Sequence, residues 1–251
     1  MSYVINVFYI TQDIALTLLA LIAFVLAIYL AIIPHEIAHG LVAKWNGDLT
    51  AQVNGRLTMN PIAHFDLVGF LMLITMGVGF AKPVPVNPYN FKVPRRGLFT
   101  VAIAGVTYNL AAVIVGSFFY ALVMFFEAQI AAASVYLYFF IATFLSLFTS
   151  VNLMLFLFNI IPLGPLDGFK IIEAYADRGN RFIEFLRRYG TYILIALFVL
   201  HFGVYYISTY AHVGWLQYVD ILGLYLDTCS YWIGGGILSL FTMMFGMGPV
   251  L

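Results

Sequence analysis

The sequence predicts an all-α polytopic membrane protein, and three observations carry that prediction. Of 251 residues, 63% are hydrophobic and only 9% charged. Four charge-free runs are long enough to cross a bilayer, and the basic residues gather in two zones at the ends of those runs. A soluble domain carries about 25% charged residues, so the surplus apolar surface here needs lipid as its solvent.

A spanning helix takes roughly 20 apolar residues. The qualifying runs are residues 14–34, 97–126, 128–166 and 189–219. A fifth candidate, residues 220–251, is interrupted by Asp227 and by Gly234-Gly235-Gly236. Residues 67–81 form a run of only about 15, marginal for a span. The first run lacks a basic leader and a small-residue cleavage site, so it reads as a retained helix.

Lys44, Arg56, Lys82, Lys92, Arg95 and Arg96 form one basic zone; Lys170, Arg178, Arg181, Arg187 and Arg188 form the other. Basic loops stay on the cytoplasmic side. One helical hairpin between the zones satisfies that rule and puts the N-terminus outside. Arg56 and Lys82 flank residues 67–81, and both belong inside. That segment is therefore expected to be a re-entrant or β element, the alternative being a short true span with reversed flanks. Pro83, Pro85 and Pro88 keep residues 82–88 out of a helix. The expected organisation is a three-helix catalytic core over residues 1–180, with the re-entrant segment near 66–81 and a hairpin at 97–160. Residues 181–251 add about two further transmembrane helices. Zero net charge points to no nucleic acid, and the single Cys229 excludes an intrachain disulfide and a four-cysteine metal site.

The first long run ends in His35-Glu36-Ile37-Ala38-His39-Gly40. On a helix, residues four apart share a face, so two imidazoles can grip one zinc ion. Glu36 is then placed to take a proton from water that the ion activates. Ionisable groups at membrane depth are functional by default. The bland reading is a polar cluster at a helix end. Pro34 either kinks the helix or starts a new one at His35, because it cannot donate to the Leu30 carbonyl.

A catalytic zinc needs a third protein ligand and an open position. No Glu lies between Glu36 and Glu127. Asp48 and Asp66 lie in the first basic zone. Asp167 is the expected ligand. It ends the third run, on the membrane face of the two histidines, where Pro162, Gly164 and Pro165 break the backbone so that it can turn inward. It could also cap a helix beginning near Phe169. His64 is a weaker site candidate, and His201 and His212 read as non-ligands. The chain does not decide what Asp220 and Asp227 face.

The chain resembles the site-2 protease family of intramembrane zinc metalloproteases, in a small subgroup without a PDZ domain. The likeness rests on His35–Gly40 and on Pro165-Leu166-Asp167-Gly168, in that order and separated by a hairpin. It extends to residues 55–66, 79–88 and 104–109, and covers roughly residues 14–176. The resemblance implies His35, His39 and Asp167 as ligands of one zinc ion per chain, and Glu36 as general base. It also implies Asn159 as a group acting at the scissile carbonyl, and it matches Asn109 to a core-motif Asn. Val106 replaces the family's usual Pro, and Gly164 precedes Pro165 where the family often has Asn; neither is a ligand.

The expected function is hydrolysis of peptide bonds in transmembrane protein substrates, with the site near the cytoplasmic side of the cell membrane. Residues 67–81 would hold the substrate extended by main-chain hydrogen bonds. For Asn159, a helix-packing amide is an equal alternative. Two competing readings are a metal transporter and a catalytically inactive membrane adaptor. No internal repeat supports the transporter, and an intact Glu36 argues against the adaptor.

Overall fold

A computed structural model of the chain describes residues 2–69, 71, 79, 81–177, 179–211 and 214–250. The expected re-entrant element, residues 67–81, lies for the most part outside them, as do Arg178 and His212. In chain order the helices are α1 (Ser2–Thr11), α2 (Ile14–Trp45), α3 (Thr50–Val53), α4 (Pro61–His64), α5 (Pro94–Phe125), α6 (Glu127–Ala133), α7 (Val135–Asn159), α8 (Asp167–Glu173), α9 (Arg181–Ala211), α10 (Ile221–Cys229) and α11 (Gly236–Met244). Helices α2, α5, α7 and α9 are each long and apolar enough to cross a bilayer. The protein is an all-α polytopic membrane protein.

Local chemistry sets the helix ends. The Asp13 carboxylate caps α2 by accepting from the backbone N–H of Ala15 at 2.7 Å and Leu16 at 3.2 Å. Past the far end, Gly47 adopts φ +106°, a left-handed conformation that turns the chain out of the helix. Pro94 opens α5, where its missing N–H is not needed. The turn expected near Glu127 is the short helix α6, which has no buried residue, and Ser134 then caps α7. The chain leaves helical geometry after Asn159 and resumes it at Asp167.

Helices α2, α5 and α7 pack on one another as a three-helix core. On α2 the buried face is a ladder of four-residue steps, Ala23, Ala27, Ala31, His35, His39 and Ala43, with Ala20 beside it. The four alanines from 20 to 31 have no exposed surface. Between membrane helices there is no apolar driving force, so small side chains that admit close van der Waals contact decide the interface. The facing ladder on α5 is Gly97, Val101, Gly105, Asn109 and Val113.

The remaining helices brace this core. Ile183, Leu186 and Leu194 of α9 cluster with Leu163, Leu166 and Phe169, which seats α8. The fifth candidate run is helical from 221 to 244. Its expected interruption is a π-helical turn, Ser230–Gly235, between α10 and α11. A Cβ on Gly234 would meet Leu153 of α7 at 2.4 Å, so glycine admits the close approach there. Ile233 and Ile237 pack with Val113, Leu153 and Leu157.

Asp48, fully buried, ties the two loops at the basic end of the core. Its carboxylate accepts from the Asn87 N–H at 2.7 Å and the Asn90 side chain at 2.8 Å, and from both the N–H and hydroxyl of Thr50. Burial pushes this carboxyl up, but the hydrogen bonds from Thr50, Asn87 and Asn90 hold it below the usual carboxylate range. The unfolded state then binds the proton more tightly, so this contribution is present above the ordinary carboxylate range and fades as pH falls below it. Asp48→Ala should cost about 1–3 kcal/mol at neutral pH by removing the charged acceptor of four partly buried hydrogen bonds. It should also remove part of the acid sensitivity of unfolding in detergent. Melting curves of both proteins against pH test this, and superimposable curves would refute it.

Candidate metal centre

Helix α2 runs unbroken through Pro34, so of the two outcomes left open the helix continues. Pro34 cannot donate to the Leu30 carbonyl. The Tyr108 hydroxyl of α5 donates to it instead, at 2.6 Å. The neighbouring Asn109 side chain donates to the Ala31 carbonyl at 3.3 Å. Two consecutive residues of α5 thus serve two consecutive carbonyls in the turn before the proline, and His35 and His39 come next on the same buried face.

Both imidazoles are held by the nitrogen that faces away from the centre. His35 Nδ1 lies 2.6 Å from Asn109 Oδ1, and His39 Nδ1 lies 2.7 Å from the Val101 carbonyl. A carbonyl oxygen only accepts, so each Nδ1 carries the proton and each Nε2 presents a lone pair. The two Nε2 atoms lie 3.1 Å apart. Asp167 Oδ2 lies 3.4 Å from one and 3.0 Å from the other. Three electron-rich atoms this close repel unless a positive charge sits among them. Tetrahedral zinc with bonds of about 2.0–2.1 Å separates its ligand atoms by about 3.3 Å, so the donor set fits that ion. All three residues are buried, and no other His, Cys, Asp or Glu joins the group among the described residues.

Asp167 reaches the histidines as the first residue of α8, one position inside the N-cap, which is Leu166. The capping role considered for it is therefore not the one it plays. Its second oxygen accepts from Lys170 Nζ at 3.0 Å, which leaves Oδ2 alone facing the rings. A Cβ on Gly168 would lie 2.3 Å from the Ile160 carbonyl oxygen, so the turn that aims Asp167 requires glycine. Gly105 does the same for the rings: a Cβ there would lie 2.5 Å from His35 Cε1 and from His39 Nε2.

Glu36 is half-buried beside this group, and its Oε2 accepts from the Val84 N–H at 2.8 Å. Pro83 and Pro85 lack an N–H, and a following proline holds Val84 extended. Asn159 ends α7 with its amide donating to the Leu155 carbonyl of its own helix at 3.0 Å; no hydrogen bond joins it to the cluster. The other carboxylates weighed as ligands are used elsewhere: Asp48 ties loops, and Asp66 accepts from the Gly69 N–H at 2.9 Å. His64 donates to the Thr58 carbonyl at 2.9 Å, and His201 pairs with Asp220 at 2.7 Å. Asn152 of α7, which sequence reasoning passed over, accepts from the Asn109 amide at 2.8 Å and is joined to His35 through Asn109.

Two cavities flank the region. One of about 140 Å³ is lined by Ile28, Tyr29, Ile32, Ile33, His64 and Phe65, just ahead of Pro34 and His35. The larger, about 380 Å³, is walled by Arg95, Glu173 and Arg187 and contains none of the cluster residues. The smaller cavity is not lined by the cluster residues either; Ile32 and Ile33 in its wall precede Pro34 and His35 on α2.

Gly105→Ala should displace both rings and weaken zinc binding by at least about tenfold, the low end of what disturbing ligand orientation costs. Competition with a chromophoric chelator measures this. Wild-type affinity in this variant would show that ring packing on Gly105 does not position the ligands.

The chain is 38% identical over 186 residues to a Bacillus subtilis (strain 168) protein named "Putative zinc metalloprotease YwhC", an alignment covering 72% of this chain and 82% of that one. No family model matches the chain. No solved structure matches it. At that identity and coverage, the chain belongs to the family of this Bacillus protein.

Proposed function

We propose that the protein is an intramembrane zinc metalloprotease of the site-2 type, hydrolysing peptide bonds of transmembrane protein substrates near the cytoplasmic side. The observation that carries this reading is the convergence of two imidazole lone pairs and one carboxylate oxygen, beside Glu36, within a bundle of apolar helices. The name of the Bacillus relative supports the same chemistry.

Zinc, when bound, supplies Lewis acidity toward water and the scissile carbonyl. The protein's own groups do the rest. His35, His39 and Asp167 hold the ion, and Lys170 keeps the second Asp167 oxygen occupied. Glu36 takes the proton of the attacking water and returns it to the leaving amine. The Val84 N–H fixes one Glu36 oxygen and leaves the other for that transfer. Asn159 is the proposed donor to the developing oxyanion, for which its amide turns away from Leu155; such a donor is worth about 2.7–4 kcal/mol. The substrate has to unwind locally; residues 67–81, the segment expected from the sequence to hold it extended, lie for the most part outside the described residues. The extended stretch that follows, residues 82–87, runs past Glu36.

Glu36→Gln keeps the shape of the side chain and removes the base. It should retain one zinc per chain and lose at least about 100-fold in cleavage of a reconstituted transmembrane peptide. Cleavage at the wild-type rate would defeat the proposed mechanism. Zinc flux into vesicles by the wild type, without cleavage, would favour a transporter, and neither flux nor cleavage would favour an adaptor.

A further inference from the structure

The sequence reading gives Asn152 no role, yet it is fully buried, and so is Asn109, its partner on another helix. The hydrogen bonds have a direction. Asn152 Nδ2 donates to the Phe148 carbonyl at 2.8 Å, and a carbonyl can only accept. That fixes the Asn152 amide with Oδ1 toward α5. This oxygen accepts from Asn109 Nδ2 at 2.8 Å. Asn109 therefore turns its own Oδ1 toward His35, and that oxygen accepts the Nδ1 proton at 2.6 Å. The Ala31 carbonyl supports the same orientation from 3.3 Å, a longer contact.

A reversed Asn109 would aim its NH₂ at His35 Nδ1. His35 would then accept at Nδ1 and carry its proton on Nε2, which faces His39 and Asp167. That tautomer has no lone pair to offer a metal. We infer that Asn152 is a positioning residue: through the Asn109 amide it selects the His35 tautomer whose Nε2 is free to bind zinc. This rests on the metal-site reading above, but it concerns a property His35 has before any ion arrives.

The test uses the full chain in detergent, labelled with ¹⁵N-histidine, as the metal-free protein and in zinc titrations. His35 ring nitrogens are assigned by their loss in His35→Asn. The wild type should show His35 protonated at Nδ1; protonation at Nε2 would overturn the inference without any variant. Asn152→Leu, isosteric and apolar, should bring in the Nε2-protonated form and weaken zinc binding by about tenfold, the scale expected for losing a partner behind a ligand. Asn152→Asp in its carboxylic acid form keeps a donor toward Phe148 and an acceptor toward Asn109. It should hold the Nδ1 tautomer and bind zinc within about threefold of wild type, well inside that scale. If Asn152→Leu matches the wild type in both readouts, or Asn152→Asp loses as much as Asn152→Leu, Asn152 acts by packing alone. Failure of the wild type to bind zinc would instead overturn the metalloprotease reading, with the tautomer result standing by itself.

Discussion

Two imidazole lone pairs are held 3.1 Å apart inside an apolar bundle, and the rest of the structure is arranged around that constraint. Each ring has one proton to place. If either proton faced the partner ring, the pair would become a hydrogen bond and the site would lose a ligand. Both are drawn outward, one to a backbone carbonyl and one to an asparagine oxygen, and both acceptors belong to α5. The position of α5 against α2 therefore decides the chemical identity of the site. A single interhelical hydrogen bond in a membrane is worth only about 0.6 kcal/mol on average. The bonds at this interface contribute direction more than stability, and the close packing of the helices has to supply the rest.

That packing explains the composition of both faces. The alanine ladder on α2 brings the backbones near, and Gly105 receives the rings where the ladders cross. Larger residues at these points would separate the helices, and the acceptors on α5 would no longer reach Nδ1. Pro34 fits the same logic. It costs α2 a hydrogen bond, and α5 replaces it through Tyr108 one residue before Asn109 satisfies His35. One short stretch of α5 therefore both repairs the helix and orients the ligand.

How much of this is legible in the sequence depends on whether the spacing stays within one helix. His35, Glu36 and His39 are readable because the i, i+4 step fixes their shared face whatever surrounds them. The four long helices are readable from length and charge alone. Asp167 is readable as a carboxylate at a broken helix end on the right face of the membrane, and the structure adds that Lys170 occupies its other oxygen. Asn152 is not readable. An asparagine in an apolar run looks like any packing amide until its partner on another helix is known. The fate of Pro34 was equally hidden, because the replacing hydroxyl comes from α5. The glycine run at 234–236 suggested an interruption, but the backbone stays helical through a π turn because the surrounding side chains pack against α5 and α7.

The three candidate ligands differ in how they are held, and that difference would give a bound ion a structural role as well as a chemical one. The histidines sit on one rigid helix and need no long-range closure. Asp167 follows the hairpin and is seated by a separate apolar cluster between α8 and α9. An ion held by all three joins the start of the core to its end. Such an ion would bind the assembled arrangement more tightly than the separated segments, and its affinity would add to the stability of the fold by linkage. The lone pairs facing one another without it oppose the same arrangement. A cation held among the three would turn that local repulsion into an attraction between Asp167 at the start of α8 and the two histidines of α2.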